Sequence, residues 1–96
     1  MKITILENFG NWFHRLTDAT LQAGVNRRIY HAALGDFGDH KPMREGVSEM
    51  RIHYSDGYRL YYATRGEEMV FLLLGGDKKS QKADIEKAIA LWKGLP

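Results

Sequence analysis

The chain has 96 residues, of which 44% are hydrophobic and 27% charged, an ordinary globular composition that excludes a disordered or fibrous protein. It has no cysteine, so a disulfide framework and thiolate chemistry are excluded, and with two prolines, no repeat and no long polar tract residues 1–96 are expected to form one domain. The net charge of +2 is small, but its excess lies after residue 40, where Lys41, Arg44, Arg51, Arg59 and Arg65, and later Lys78, Lys79, Lys82, Lys87 and Lys93, outnumber the nearby acids; an anionic partner or a merely solvated surface would each account for it.

Residues 1–20 lack the basic start, apolar stretch and small-residue cleavage site of a signal peptide. The longest apolar run, residues 69–74, is too short to cross a bilayer, so the cytosol is the expected compartment and no membrane partner is expected. Ile3, Ile5 and Leu6 predict a short first strand. Residues 8–17 predict a helix, because Phe9, Trp12, Phe13 and Leu16 recur at i, i+3, i+4 and i+7. Asp18 or Thr20 caps a second helix with Leu21, Val25, Ile29 and Ala32 or Ala33 on its apolar face, and Gly35 stops it. Together these segments predict a helical hairpin. Residues 36–46 show no period and read as loop.

Three strand-like runs follow. In residues 47–54, Met50, Ile52 and Tyr54 alternate with Glu49, Arg51 and His53; in residues 58–64, Tyr58, Leu60 and Tyr62 alternate with Arg59, Tyr61 and Ala63. Residues 70–74 are apolar on both faces, as in a central strand. Ser55-Asp56-Gly57 reads as a three-residue hairpin connection with a left-handed Gly57, which sets Tyr54 opposite Tyr58, Ile52 opposite Leu60, His53 opposite Arg59 and Arg51 opposite Tyr61. A two-residue Asp-Gly loop would mix the faces. Ser80 is the expected N-cap of a last helix with Ile85, Ala88, Ile89 and Trp92 as its apolar stripe. One core is expected, combining Met50, Ile52, Leu60, Tyr62, Leu72, Ile85, Ile89 and Trp92 with Trp12 and Phe13.

The accepted pairing gathers Arg51, His53, Arg59 and Tyr61 on one polar sheet face. Guanidinium groups bind phosphate oxygens in pairs and tyrosine stacks on a base, so this face suits a phosphodiester; a plain solvent-facing side would look the same. A positive neighbour, Arg59, would favour the neutral form of His53, which suits a general base. Gly75-Gly76-Asp77-Lys78-Lys79-Ser80 follows a strand and opens a helix, a place where backbone amides with Lys78 and Lys79 would hold a phosphate, or simply a capped turn. It lacks the spacing of a nucleotide P-loop. His14, His31 and His40 are not spaced as metal ligands, so neither a metal nor another cofactor is expected.

The order Gly35-Asp36-Phe37-Gly38-Asp39-His40-Lys41, Gly46-Val47-Ser48-Glu49-Met50-Arg51-Ile52, Gly57-Tyr58-Arg59-Leu60-Tyr61-Tyr62 and Leu74-Gly75-Gly76-Asp77-Lys78-Lys79-Ser80-Gln81 resembles the "addiction module killer protein" branch of the RelE/ParE toxin superfamily, whose best-known members are the HigB toxins. The resemblance implies an α+β, RelE-like fold: an N-terminal helical hairpin packed on a curved antiparallel sheet, with a C-terminal helix. It implies the toxin of a type II toxin–antitoxin system, masked by a cognate antitoxin that is often a small helix-turn-helix protein. Two activities go with the family. RelE- and HigB-like members cut mRNA in the ribosomal A site with the 2′-hydroxyl as nucleophile and basic side chains instead of a metal; ParE-like members poison DNA gyrase without catalysis. By the same resemblance Arg59 braces the scissile phosphate, Arg51 and His53 are the basic strand positions with His53 the general base, and Lys78 is the general acid or a phosphate ligand. Lys41, Tyr61 and Lys79 are the expected substrate-binding residues. The sequence departs from the ribosome-dependent pattern in one respect, since no tyrosine follows Lys79. Tyr61 is then left to stack on the substrate base, or cleavage is weak, or the target differs. Because Arg59 is expected on an exposed face, its replacement should cost little stability.

Overall fold

Periods of about 3.6 residues at both ends of the chain and alternation between them sort it into helices flanking strands. The computed structural model, which describes residues 1–96, runs β1 (Lys2–Ile5), α1 (Glu7–His14), α2 (Ala19–Ala33), β2 (His40–Arg44), β3 (Val47–Ile52), β4 (Tyr58–Arg65), β5 (Met69–Asp77) and α3 (Gln81–Lys93). The expected α+β arrangement of helical hairpin, sheet and C-terminal helix is present. Asp18 is the N-cap of α2, its carboxylate accepting from the amides of Thr20 and Leu21, and Gly35 with φ +85° turns the chain out of the helix. No helix is long and apolar enough to cross a membrane.

The five strands form one sheet in the order β1-β5-β4-β3-β2. It is mixed rather than antiparallel throughout, because β1 lies parallel to β5 with Lys2 opposite Met69 and Ile5 opposite Leu72. The second departure is β2, which falls in a segment expected to be loop. It pairs antiparallel with β3, His40 opposite Met50 and Lys41 opposite Glu49. Pro42 has no amide to give a ladder, but an edge strand needs hydrogen bonds on one side only.

The expected single core is two cores, one on each face of the sheet. Phe9, Leu21, Val25, Ala32, Met50, Leu60, Tyr62, Val70 and Leu72 form the first, with Trp12, Phe13, Leu16 and Ile29 packed against it; this is the face that α1 and α2 cover. Val47, Tyr61, Ala63, Phe71, Leu73, Leu74, Ala88 and Ile89 form the second, with Ile85 and Trp92 packed against it under α3. The individual apolar stripes are therefore as expected, but Ile85, Ile89 and Trp92 lie across the sheet from Trp12 and Phe13.

Gly75 and Gly76 are the end of β5 and make room on opposite sides of it. A β-carbon on Gly75 would lie 2.1 Å from Trp12 Cε3, and one on Gly76 would lie 2.0 Å from Asp84 Oδ2. The glycine pair is thus a strand end pressed between α1 and α3 rather than a cradle for phosphate. The turn follows Asp77, the last residue of β5, whose Oδ1 accepts from the Ser80 amide at 3.0 Å. Ser80 holds the N-cap position of α3 as expected, but its hydroxyl bonds the Asp77 and Asp84 carboxylates and caps no amide. Gly75→Ala should drive a methyl into the Trp12 ring and destabilise the fold by about 1–3 kcal/mol, the usual cost of overpacking. At about 4–8 °C per kcal/mol for a domain of this size, a melting curve will read it; an unchanged Tm would refute this contact.

Candidate functional site

The pairing of β3 with β4 decides which side chains meet. Arg51 stands opposite Arg59, Ile52 opposite Tyr58, Met50 opposite Leu60 and Glu49 opposite Tyr61. This is two residues away from the expected pairing. β3 ends at Ile52, and residues 53–57 form a longer connection in which Ser55 (φ +54°) and Gly57 (φ +94°) are both left-handed. The Gly57 amide closes the turn on the Tyr54 carbonyl at 3.0 Å. His53 is consequently not opposite Arg59; it sits beyond the strand end with its side chain 77% exposed.

Arg51 and Arg59, as cross-strand neighbours on one face, would repel each other unaided. Glu49 lies beside both. Its Oε1 accepts from Arg51 Nε at 3.3 Å, and its Oε2 is 3.2 Å from Arg59 Nε, near enough for charge attraction though not aligned as a hydrogen bond. Gln81, the first residue of α3, donates to both carboxylate oxygens at 3.3 and 3.2 Å. Arg59 is accordingly 15% exposed in its side chain, not on the open face that the sequence suggested.

His53 has a different partner from the one expected. Its Nε2 meets Asp39 Oδ2 at 2.5 Å. In the neutral ring tautomer that donates from Nε2, the Nδ1 lone pair is left free to accept a proton. Asp39 lies just before β2, in a segment pinned by Arg28 of α2: the guanidinium donates to the carbonyls of Phe37 (2.7 Å), Asp39 (3.1 Å) and Arg51. The Arg51 amide donates in turn to the Asp39 carbonyl at 2.8 Å. Gly38, at φ +60°, lets the guanidinium lie against the backbone, since a β-carbon there would be 2.9 Å from Arg28 Nη2. The His53 hydrogen bond, aided by the positive charges of Arg51 and Arg28, holds the Asp39 carboxyl below the usual aspartate range.

Arg51, His53, Arg59 and Lys78 line a single open cleft of about 360 Å³, together with Ile52, Tyr58 and the turn residues Ser55, Asp56 and Gly57. The four expected catalytic positions thus converge. The three expected substrate-binding positions do not. Lys79 is exposed on the turn before α3 but is not among the lining residues, and Lys41 is exposed on β2, opposite Glu49 in the ladder. Tyr61 is 0% exposed and its hydroxyl has no partner. Burial, with the negative charges of Glu49 and Asp84, pushes its phenol well above the ordinary range, so the ring is a neutral member of the second core and is closed to stacking. The aromatic side chain that reaches the cleft is Tyr58, half-buried, which the alternation places on the face of Leu60 and Tyr62, opposite Arg59 and Tyr61. No three His, Asp or Glu side chains converge as a set of metal ligands.

A sequence model of the family described as "Phage derived protein Gp49-like (DUF891)" matches residues 12–93. The chain is also similar to an uncharacterised protein of Haemophilus influenzae, 39% identical over 87 residues that cover 91% of this chain and 88% of that one.

The Asp39–His53 pair carries a pH dependence of defined sign. A carboxyl with a lowered folded-state pKa stabilises the fold fully above its unfolded value, and the contribution is lost as pH falls through the folded value. Asp39, followed by carbon NMR of its carboxyl, should titrate below the ordinary 3.8, and His53→Ala should move it back towards that value. A midpoint that ignores His53→Ala would break the pair.

Proposed function

The chain belongs to the Gp49-like family of phage-derived proteins, a family associated with addiction-module toxins, and we propose from this premise that it is the toxin of a toxin–antitoxin pair whose cleft binds and cuts an RNA phosphodiester. The observation that carries the reading is the convergence of Arg51, His53, Arg59 and Lys78 in one cleft, with the two arginines directly opposite each other. An RNA strand offers such a site one phosphate and its own 2′-hydroxyl. The 2′-oxygen attacks phosphorus while the bond from phosphorus to the 5′-oxygen breaks, giving a 2′,3′-cyclic phosphate and a free 5′-hydroxyl. His53, oriented by Asp39, takes the 2′-hydroxyl proton on Nδ1. Lys78 supplies the proton that the departing 5′-oxygen needs. The phosphorane between them carries extra negative charge, and the terminal amino groups of Arg51 and Arg59 stabilise it where it develops.

Ribosome-bound mRNA is the substrate that fits the HigB-like motifs. The burial of Tyr61 and the absence of a tyrosine after Lys79 favour one second reading, binding without cleavage, with DNA gyrase as the target. Pulse labelling after induction separates them, because a nuclease stops protein synthesis first and a gyrase poison stops DNA synthesis first. In either case the antitoxin, expected to be a small helix-turn-helix protein, silences the toxin by closing this cleft.

Arg59→Ala should abolish growth arrest. Because Arg59 partners a buried carboxylate, this variant also loses stability. Arg59→Lys keeps the charge but lacks the planar fork, so it should lose arrest while still melting cooperatively and binding antitoxin. His53→Ala should slow single-turnover cleavage on ribosomes by about 10²–10⁴-fold, the usual range for a positioned base. Arrest as strong as wild type in Arg59→Ala would sink this site.

A further inference from the structure

Glu49 is the one charged side chain that the fold buries, at 1% exposure. A carboxylate taken out of water persists only with cationic or hydrogen-bonding partners. Glu49 has three: Arg51 Nε on Oε1, Arg59 Nε near Oε2, and Gln81 Nε2 on both oxygens. With both oxygens engaged and closed to solvent, it is not placed to take a proton from a substrate. What it touches is informative, for it meets each guanidinium at the Nε edge. No protein acceptor takes the terminal amino groups of either arginine, and Arg59 Nη1 extends towards Gly57 at the rim of the cleft. Two arginines facing each other across a ladder repel, and without a charge between them their side chains would splay.

We propose that Glu49 is a positioning residue, which clamps Arg51 and Arg59 side by side by their Nε edges so that their terminal amino groups form one receptor for a single phosphodiester. The proposal rests on the reading of the cleft as a phosphodiester site. Gln81 completes the clamp by holding the carboxylate from α3, which ties the geometry of the receptor to the seating of that helix on the sheet.

Charge alone and position make opposite predictions for Glu49→Gln. The substitution removes a negative charge beside the cleft, so if Glu49 acts only through its charge, inorganic phosphate should bind more tightly and cleavage should be at least as fast. If Glu49 is a clamp, the new amide turns a donor towards one of two arginine donors and releases that guanidinium. Single-turnover cleavage of ribosome-bound mRNA should then fall by about 10²-fold, the scale of a misplacement near 1 Å. In nitrogen-resolved NMR of the full chain, the Nε–H signals of Arg51 and Arg59 should shift together on titration with inorganic phosphate, and in Glu49→Gln one of them should move to the position of a free arginine. Glu49→Asp keeps the charge but is one methylene shorter and cannot span both arginines, so it should show the same loss. If the substitutions at 49 melt non-cooperatively, Gln81→Ala, at a partly exposed helix start, should lower the rate in the same direction with the fold intact. Wild-type rates in Glu49→Asp or Gln81→Ala, or tighter phosphate binding with unchanged Nε–H signals in Glu49→Gln, would overturn the clamp. If Arg51→Ala and Arg59→Ala also keep full growth arrest, the cleft itself is wrong; if they lose arrest while Glu49→Gln keeps it, only the clamp fails.

Discussion

A sheet whose inner strands are apolar on both sides has to be covered on both sides, and 96 residues must supply both covers. Strands β4 and β5 impose this requirement. Leu60, Tyr62, Val70 and Leu72 face the helical hairpin, while Tyr61, Ala63, Phe71 and Leu73 face α3. The hairpin has two helices for its face; the other face has only α3. Coverage there runs from Trp92, beneath which Arg65 stacks on Phe71, to Gln81 over Glu49. Beyond Gln81 the same sheet face continues through Arg51 and Arg59 with no helix above it. The cleft is the part of a sheet face that the last helix does not reach, which is why its lining is mostly polar.

Much of this architecture was legible from apolar spacing. The stripes Phe9-Trp12-Phe13-Leu16, Leu21-Val25-Ile29 and Ile85-Ala88-Ile89-Trp92 report which side of each helix is dry, and they do so correctly. They do not report against which sheet face each helix lies, because every stripe needs some apolar surface and the two faces of β5 offer the same kind. Pairing failed for a related reason. Sliding β3 along β4 by two residues leaves every side chain on its original face, so the alternation of Met50, Ile52, Leu60 and Tyr62 cannot distinguish the two arrangements. The turn decides instead, and the left-handed Ser55 that lengthens it is not a residue type that announces such a backbone.

The site residues divide along the same line. Arg51, Arg59, His53 and Lys78, which line one cleft, could be singled out as candidates because their chemistry is visible as residue type and motif. Glu49 and Asp39 were not, because their importance comes from what they touch. Glu49 looked like one more polar residue on an outer face, and the signal that marks it, two arginines within reach, depends on the true pairing. Asp39 was hidden in a segment without period; only the pinning of that segment by Arg28, from the helix just before it, brings it to His53. Tyr61 failed in the opposite sense: a polar tip on the polar side of a strand, yet beneath α3 where no nucleotide can follow.

The parallel seat of β1 beside β5 sets an order on how this chain can acquire its structure. Residues 2–5 leave the ribosome well before residues 69–72, their hydrogen-bonding partners, so the first strand has nowhere to dock until β5 has been made. Through most of that interval α1 and α2 carry Phe9, Leu21 and Val25 with no complete sheet to set them against. The β3–β4 hairpin, by contrast, is local and can close as soon as residue 62 is free. The arginine pair is thus assembled early and the hairpin of helices is seated late, which makes the unfinished N-terminal half, and not the cleft, the part of the nascent protein that most needs shelter.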